Sequence, residues 1–234
     1  MRFSVLVPTR KRHNRLREFL GSINATAHNP SEIEILFYVD EDDDITKEHK
    51  LIKENPNLNI QFFRKPREEI QGNRYNFLLG QSQGDFIMYA ADDLIFESPY
   101  WDKYVYSEFT HYQDRIVLIY PRTKNYNCRL AAHGFVSRES TRVLGRLFTP
   151  YFRSVCDDVW LTEVYKMLGR LRCFDKIHIT HKHFSYSPGV EVDDTYKEGK
   201  TAANADTPAF AAHKDEILND VRLLNYYIGS KAQR

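Results

Sequence analysis

The sequence predicts an α/β fold, with a mixed, mostly parallel sheet flanked by helices. Three observations predict it. Short apolar runs alternate with amphipathic stretches through the first 95 residues, as successive β-α-β units require. Within GDFIMYAADDLIF, Gly84 to Phe96, the run Phe86 to Ala91 is apolar on both faces, as a central strand covered on both sides would be, and the strand ends in two adjacent carboxylates, Asp92 and Asp93. A length of 234 residues suits one large domain with a substantial core.

The elements follow in order. Phe3 to Val7 is a short strand closed by Pro8, Thr9 and Arg10. Leu16, Phe19, Leu20 and Ile23 fall at helical spacing between Asn14 and Ala27, and Asn29-Pro30 ends that helix. Ile33 to Val39 is a second strand, followed by the acidic run Asp40 to Asp44. Thr46 to Asn55 reads as a helix, Asn59 to Phe63 as a third strand, and Ile70 to Gln83 as the helix feeding Gly84. The implied sheet is parallel with right-handed crossovers.

The second half is less regular. Helices are expected at Trp101 to Tyr112, Ser137 to Leu147, Asp157 to Leu168 (stopped by Gly169) and His213 to Ile228. Strands are expected at Ile116 to Tyr120, Ala131 to Val136 and, once or twice, within Leu171 to His183. The polar stretch Pro188 to Pro208 reads as a mobile loop.

Composition bounds the function. A formal charge of +1 gives no bulk reason for nucleic-acid or membrane binding. No apolar stretch approaches the roughly 20 residues of a transmembrane helix, and the N-terminal apolar run is too short for a signal peptide. Cys128, Cys156 and Cys173 are odd in number and lack CxxC spacing. That argues against a zinc site or a disulfide framework and for a reducing cytoplasm.

Chemistry concentrates at strand ends, where open α/β sheets bind ligands. Asp92 and Asp93 form a hard oxygen site suited to Mg²⁺ or Mn²⁺ carrying a diphosphate; the plainer alternative is a polar turn. Pro8, Thr9, Arg10 and Arg12 open a helix, where free amides and cations favour phosphate, although a basic capping turn would look the same. Asp40 points from its strand end into the same crevice. GxGxxG and Walker loops are absent.

A strand ending in PTRKR, an Asp after the second strand, and Asn76 eight residues before Gly84-Asp85-Phe86 resemble the family 2 glycosyltransferases of GT-A fold. The resemblance spans roughly residues 3 to 170. It implies a single GT-A-like (Rossmann-like) domain over 1–234: a nucleotide-binding half at 1–97, an acceptor and catalytic half at 98–212, and a C-terminal helix at 213–234. By the same resemblance Pro8, Thr9, Arg10 and Arg12 contact the nucleotide, Asp40 reads its base, and Asn76 with Arg74 lines its pocket. Asp92 and Asp93 match the last two positions of the metal and ribose motif, with Asp93 the metal ligand. Ala91 departs from the pattern, standing where many members place the first acid.

CDDVWLTEVYKMLG, Cys156 to Gly169, resembles the family's acidic helix start. In-line displacement at an anomeric carbon needs a carboxylate to take the acceptor's proton. Asp157 is expected to cap the helix and Asp158 to be the base, its pKa lowered by the helix N-terminus. His181 and His183 share one strand face, His178 the other. His183 is the favoured second metal ligand, and His133 a candidate for the acceptor side. The loop through Asp193, Asp194 and Tyr196 is positioned to fold over bound donor.

The expected activity is therefore inverting, metal-assisted sugar transfer from a nucleotide-diphosphate donor, by default UDP-linked, to an acceptor hydroxyl. Two rivals stand beside it. One is a metal-dependent phosphoesterase built on Asp92, Asp93, His181 and His183. The other is a non-catalytic sugar-nucleotide or glycan-binding module.

Overall fold

The computed structural model describes residues 2–122, 128–183 and 192–232. The first half follows the expected alternation: β1 (Phe3–Thr9), α1 (His13–Thr26), β2 (Ile33–Asp40), α2 (Glu48–Glu54), β3 (Asn59–Lys65), α3 (Gln71–Gln81) and β4 (Phe86–Tyr89). The remainder comprises β5 (Leu94–Phe96), α4 (Trp101–Phe109), β6 (Leu118–Pro121), β7 (Gly134–Ser137), α5 (Arg138–Leu144), α6 (Asp157–Met167), β8 (Leu171–Phe174), β9 (Ile179–His181), α7 (Asp194–His213) and α8 (Ile217–Ala232).

Seven strands form one mixed sheet in the order β3-β2-β1-β4-β7-β6-β8. Strands β3, β2, β1 and β4 are mutually parallel. Only β7 runs against its two neighbours, β4 and β6, while β6 and β8 are parallel. Period-2 side-chain alternation divides the core between two faces. Phe3, Val5, Val7, Phe37 and Met88 pack with Leu16 and Phe19 of α1 and Trp101 of α4. Leu6, Leu36, Ile87 and Tyr89 pack with Tyr75 of α3 and Trp160 and Leu161 of α6. Phe19 is fully buried, and its truncation to Ala would cost about 3–5 kcal/mol.

Gly84 is dictated by contact. A Cβ there would stand 2.4 Å from Ser4 Oγ and 2.7 Å from Ser4 N. Its amide donates to Ser4 Oγ and Glu34 Oε1 at 2.8 and 2.9 Å, fixing where the chain enters β4.

Strand β4 ends at Tyr89, just ahead of Asp92 and Asp93 as expected; the chain turns through residues 90–93, and β5 pairs antiparallel with β9 in a separate two-stranded sheet. Two expectations are corrected. The stretch read as a mobile loop is largely helix α7; the first part of it, up to residue 191, lies outside the described residues. Asp193 caps that helix, accepting the Tyr196 amide, and the alanines that follow favour the helical state despite Pro208. Finally, Cys128 and Cys173 form a disulfide, with Cys156 free. Tertiary placement brings together cysteines 45 residues apart, which spacing rules cannot see, and the cysteine argument for a reducing compartment lapses. No helix among the described residues is long and apolar enough to cross a membrane.

Candidate active site

Parallel strands β1, β2 and β4 all point their carboxyl ends toward one side of the sheet. Thr9 and Arg10, Asp40, and Asp92 with Asp93 therefore gather there. A cavity of about 740 Å³ lies over these ends, and its walls include Pro8, Thr9, Arg10, Arg12, Arg74 and Asp92. Asp157, Asp158, His133, His181, His183 and Tyr196 complete it from the second half.

Asp92 is buried and fully engaged. It accepts from Thr9 Oγ1 and Arg12 Nη1, each at 2.7 Å. Burial and the neighbouring Asp93 raise its pKa against the pull of Arg12 and Thr9. Asp93 is the opposite case. Its burial also favours the neutral form, but contacts with His181, Tyr196 and Arg12 outweigh it and hold the carboxyl well below the usual range. Tyr196 donates to Asp93 Oδ2 at 2.7 Å, and His181 Nε2 stands 3.0 Å from Oδ1. That contact comes from the sheet: β5 pairs with β9 so that Leu94 faces His181, and the Lys182 amide donates to the Asp93 carbonyl at 2.9 Å. Asp93 thus lies behind Tyr196 and His181, beneath the cavity wall.

His181 stands beside the expected metal pair of Asp93 and His183: its Nε2 contacts Asp93, while the His183 ring packs 4.6 Å from that of Tyr196. Both imidazoles still face the cavity. His133, which burial holds down to about 3 and so neutral, places Nε2 3.4 Å from His181 Nδ1. An ionised, buried carboxylate with two imidazoles beside it is a mixed oxygen and nitrogen donor set, which fits a divalent ion. Among the described residues no trio of ligating side chains converges on Asp93; the one such group, Cys128, Cys173 and Asp175, contains the disulfide. An ion at Asp93 would thus need diphosphate oxygens to complete its shell.

Arg10 and Arg12 are engaged by acids of the same chain. Arg12 clasps Asp193 through Nε and Nη2 at 2.8 and 2.9 Å, and Arg10 reaches Asp40, Asp42 and Glu198. The Tyr196 ring lies 4.3 Å from the Arg12 guanidinium. Asp40 is 1 % exposed, and its oxygens accept no hydrogen bond among the described residues. Burial raises its pKa while Arg74 and Arg10 oppose the rise.

Asn76 does not line the cavity. Its amide oxygen accepts from the Leu147 and Phe148 amides at 2.9 and 3.1 Å, and its nitrogen donates to the Phe148 carbonyl at 2.8 Å. These three bonds tie the side chain to that backbone turn, so it supports the wall. Arg74 does line the cavity, donating to the Glu68 carbonyl.

The second acid pair sits at the start of α6. Cys156, at φ 77°, is the residue preceding the helix, so Asp157 and Asp158 occupy its first two positions and Asp157 makes no capping bond. Asp157 is 2 % exposed, with neither carboxyl oxygen hydrogen-bonded among the described residues, and burial together with Asp158 raises its pKa strongly. Asp158 is pushed up to about 6 by burial, against the Val159 amide that donates to it at 2.8 Å. The expected lowering by the helix terminus is therefore overturned: desolvation wins.

Sequence reasoning missed Arg15, His181 as the Asp93 partner, and Asp206. Arg15 lies one helical turn after Arg12, 3.6 Å from Asp93, a spacing that could have exposed it.

The profile of Glycosyl transferase family 2 matches residues 4–186. Among solved structures, Staphylococcus aureus TarS 1–349 in complex with UDP-GlcNAc superposes with a TM-score of 0.61 at 19% identity, covering 94% of this chain and 71% of that one. Against a longer TarS structure the chain spans 43% of the partner's length. Mannosyltransferase PcManGT from Pyrobaculum calidifontis, in complex with GDP-Man and Mn²⁺, gives 0.60 at 11% identity, covering 99% of this chain and 86% of its own. GalNAc-T7 with UDP, GalNAc and Mn²⁺ gives 0.60 at 14%, covering 77% and 44%. No curated protein sequence matches. Such distant structural likeness fixes the fold, which is GT-A. The profile fixes the family: the chain belongs to glycosyl transferase family 2 and carries that family's nucleotide-sugar-dependent transferase domain.

Proposed function

We propose that this domain transfers a sugar from a nucleotide-diphosphate donor to an acceptor hydroxyl with inversion, Asp158 serving as general base. One observation carries the reading. A single cavity joins the arginine loop after β1 and Asp92 after β4 to Asp158, a carboxyl group poised near pH 6. A base is most effective when its pKa lies near the working pH, and burial supplies that here.

The roles follow from the contacts. Asp40 has unpaired acceptor capacity for a base N–H. Arg10 and Arg12 present guanidinium groups to a diphosphate once Glu198 and Asp193 are exchanged for it. Asp157, held neutral, offers both a donor and an acceptor to a sugar hydroxyl. Asp158 takes the acceptor hydroxyl's proton on a carboxyl oxygen as the acceptor oxygen attacks. A divalent ion held by Asp93, with His181 or His183, would neutralise charge on the departing diphosphate.

UDP is the first donor nucleotide to try, because TarS and GalNAc-T7 were solved with it; GDP follows from PcManGT. The test is a thermal-shift series with UDP- and GDP-sugars, with and without Mn²⁺. A true donor at 100 times its dissociation constant adds about 2.7 kcal/mol of stability, and the shift should require the ion. Absence of any shift, with turnover of simple phosphate esters instead, would overturn the proposal.

A further inference from the structure

We infer that Asp206 is a positioning residue that locks the approach to Asp157 and Asp158, and that α7 joins this lock to the Asp93 side of the cavity. The inference rests on the transferase reading for its kinetic consequence, although the lock itself stands on contacts alone.

Asp206 lies mid-helix and is 1 % exposed. Its Oδ1 accepts the Arg153 amide, and its Oδ2 the Ser154 and Val155 amides, all at 2.8 Å. Three consecutive backbone N–H groups are thus gathered on one carboxyl group. They immediately precede Cys156, whose left-handed backbone (φ 77°) turns the chain into α6. Without that carboxylate the three amides lose the acceptor they share. The segment therefore has one well-paired arrangement, and it fixes where Asp157 and Asp158 begin.

The same helix face reaches the other half of the site. Tyr196, Gly199, Ala203, Asp206 and Phe210 recur at intervals of three or four residues. Tyr196 holds Asp93, and Gly199 lies against residue 154, where a Cβ would come within 2.9 Å of Ser154 Oγ. Phe210 packs 6.0 Å from Phe152 and 6.2 Å from Trp160. The ten residues from Tyr196 to Asp206 span about 15 Å of helix axis. One helix thus links Asp93 to the loop that leads into α6 and its base.

The test compares Asp206→Ala and Asp206→Asn in the full chain. Hydrogen exchange at the amides of residues 153–155 should accelerate at least tenfold in Asp206→Ala. Asp206→Asn keeps one carbonyl acceptor and should recover part of the protection. In the same variants kcat should fall at least tenfold for Asp206→Ala and less for Asp206→Asn, with the affinity for UDP and Mn²⁺ by calorimetry within about twofold. Unchanged exchange at those amides would overturn the lock. So would kcat and UDP affinity falling together with the folded fraction. If Asp206→Ala does not fold, Asp206→Asn carries both measurements. If the wild type transfers no sugar, the transferase reading fails while the exchange result still decides the lock.

Discussion

Two pairs of adjacent aspartates lie around one cavity, Asp93 just beneath its wall, and their surroundings differ in kind. Asp92 and Asp93 meet Thr9, Arg12, Tyr196 and His181, and the charge settles on Asp93. Asp157 makes no hydrogen bond among the described residues, Asp158 accepts from the Val159 amide, and burial raises both. The sequence is Asp-Asp in each case. What separates them is whether cations and hydroxyls stand against the carboxyl oxygens to offset the cost of burial. The first pair is suited to hold charge, the second to exchange protons.

The comparison can be broken most decisively at Asp158. Asp158→Asn should reduce kcat by about 10²–10⁴-fold while leaving UDP binding by calorimetry nearly unchanged; retained turnover would remove the base. In the wild type, kcat should fall about tenfold per pH unit below about 6 as Asp158 gains its proton.

The next largest effect separates the pairs by stability. Asp93 has a lowered folded pKa, so its contribution is present above the unfolded value and is lost as pH falls toward the folded one. Asp93→Asn breaks buried contacts and should destabilise by about 3 kcal/mol. Asp158 carries the opposite sign. Its folded pKa of about 6 lies above the unfolded 3.8, so its ionisation costs stability as pH rises through that window. Asp158→Asn should accordingly stabilise the fold at pH 7.5 by roughly 1–3 kcal/mol, read as a raised melting temperature. Melting curves that move both variants the same way would erase the distinction. The smallest effect belongs to Tyr196→Phe, which removes one hydrogen bond to Asp93 and should cost about 1 kcal/mol, read by denaturant titration.

The first half was legible because its information is local. Each strand, helix and strand-end residue from Phe3 to Tyr89 follows from periodicity within a few residues, and the parallel order brings Thr9, Asp40 and Asp92 to one edge without further knowledge. The second half depends on pairings that sequence does not print. Nothing in HITHKH marks β9 as the partner of β5, yet that pairing puts His181 on Asp93. Asn76 has family spacing, but its amide is spent on residues 147 and 148. Asp158 was placed correctly at a helix start, while the burial that outweighs the helix terminus lies in residues distant along the chain. Helix α7 was hidden by its polar, Gly- and Pro-containing composition, though Asp193 as cap and the alanine-rich run that follows carry a local signal.

The bond between Cys128 and Cys173 anchors β8 to the turn that leads into Leu130, Ala132 and His133 of the cavity wall. Closing a loop of this length restricts the unfolded chain by about 4 kcal/mol. Bench handling inherits that dependence: dithiothreitol in a purification buffer would cut this tether. A preparation that looks inert under such conditions would report on its buffer, and glutathione-balanced or thiol-free media are the sound choice for every measurement above.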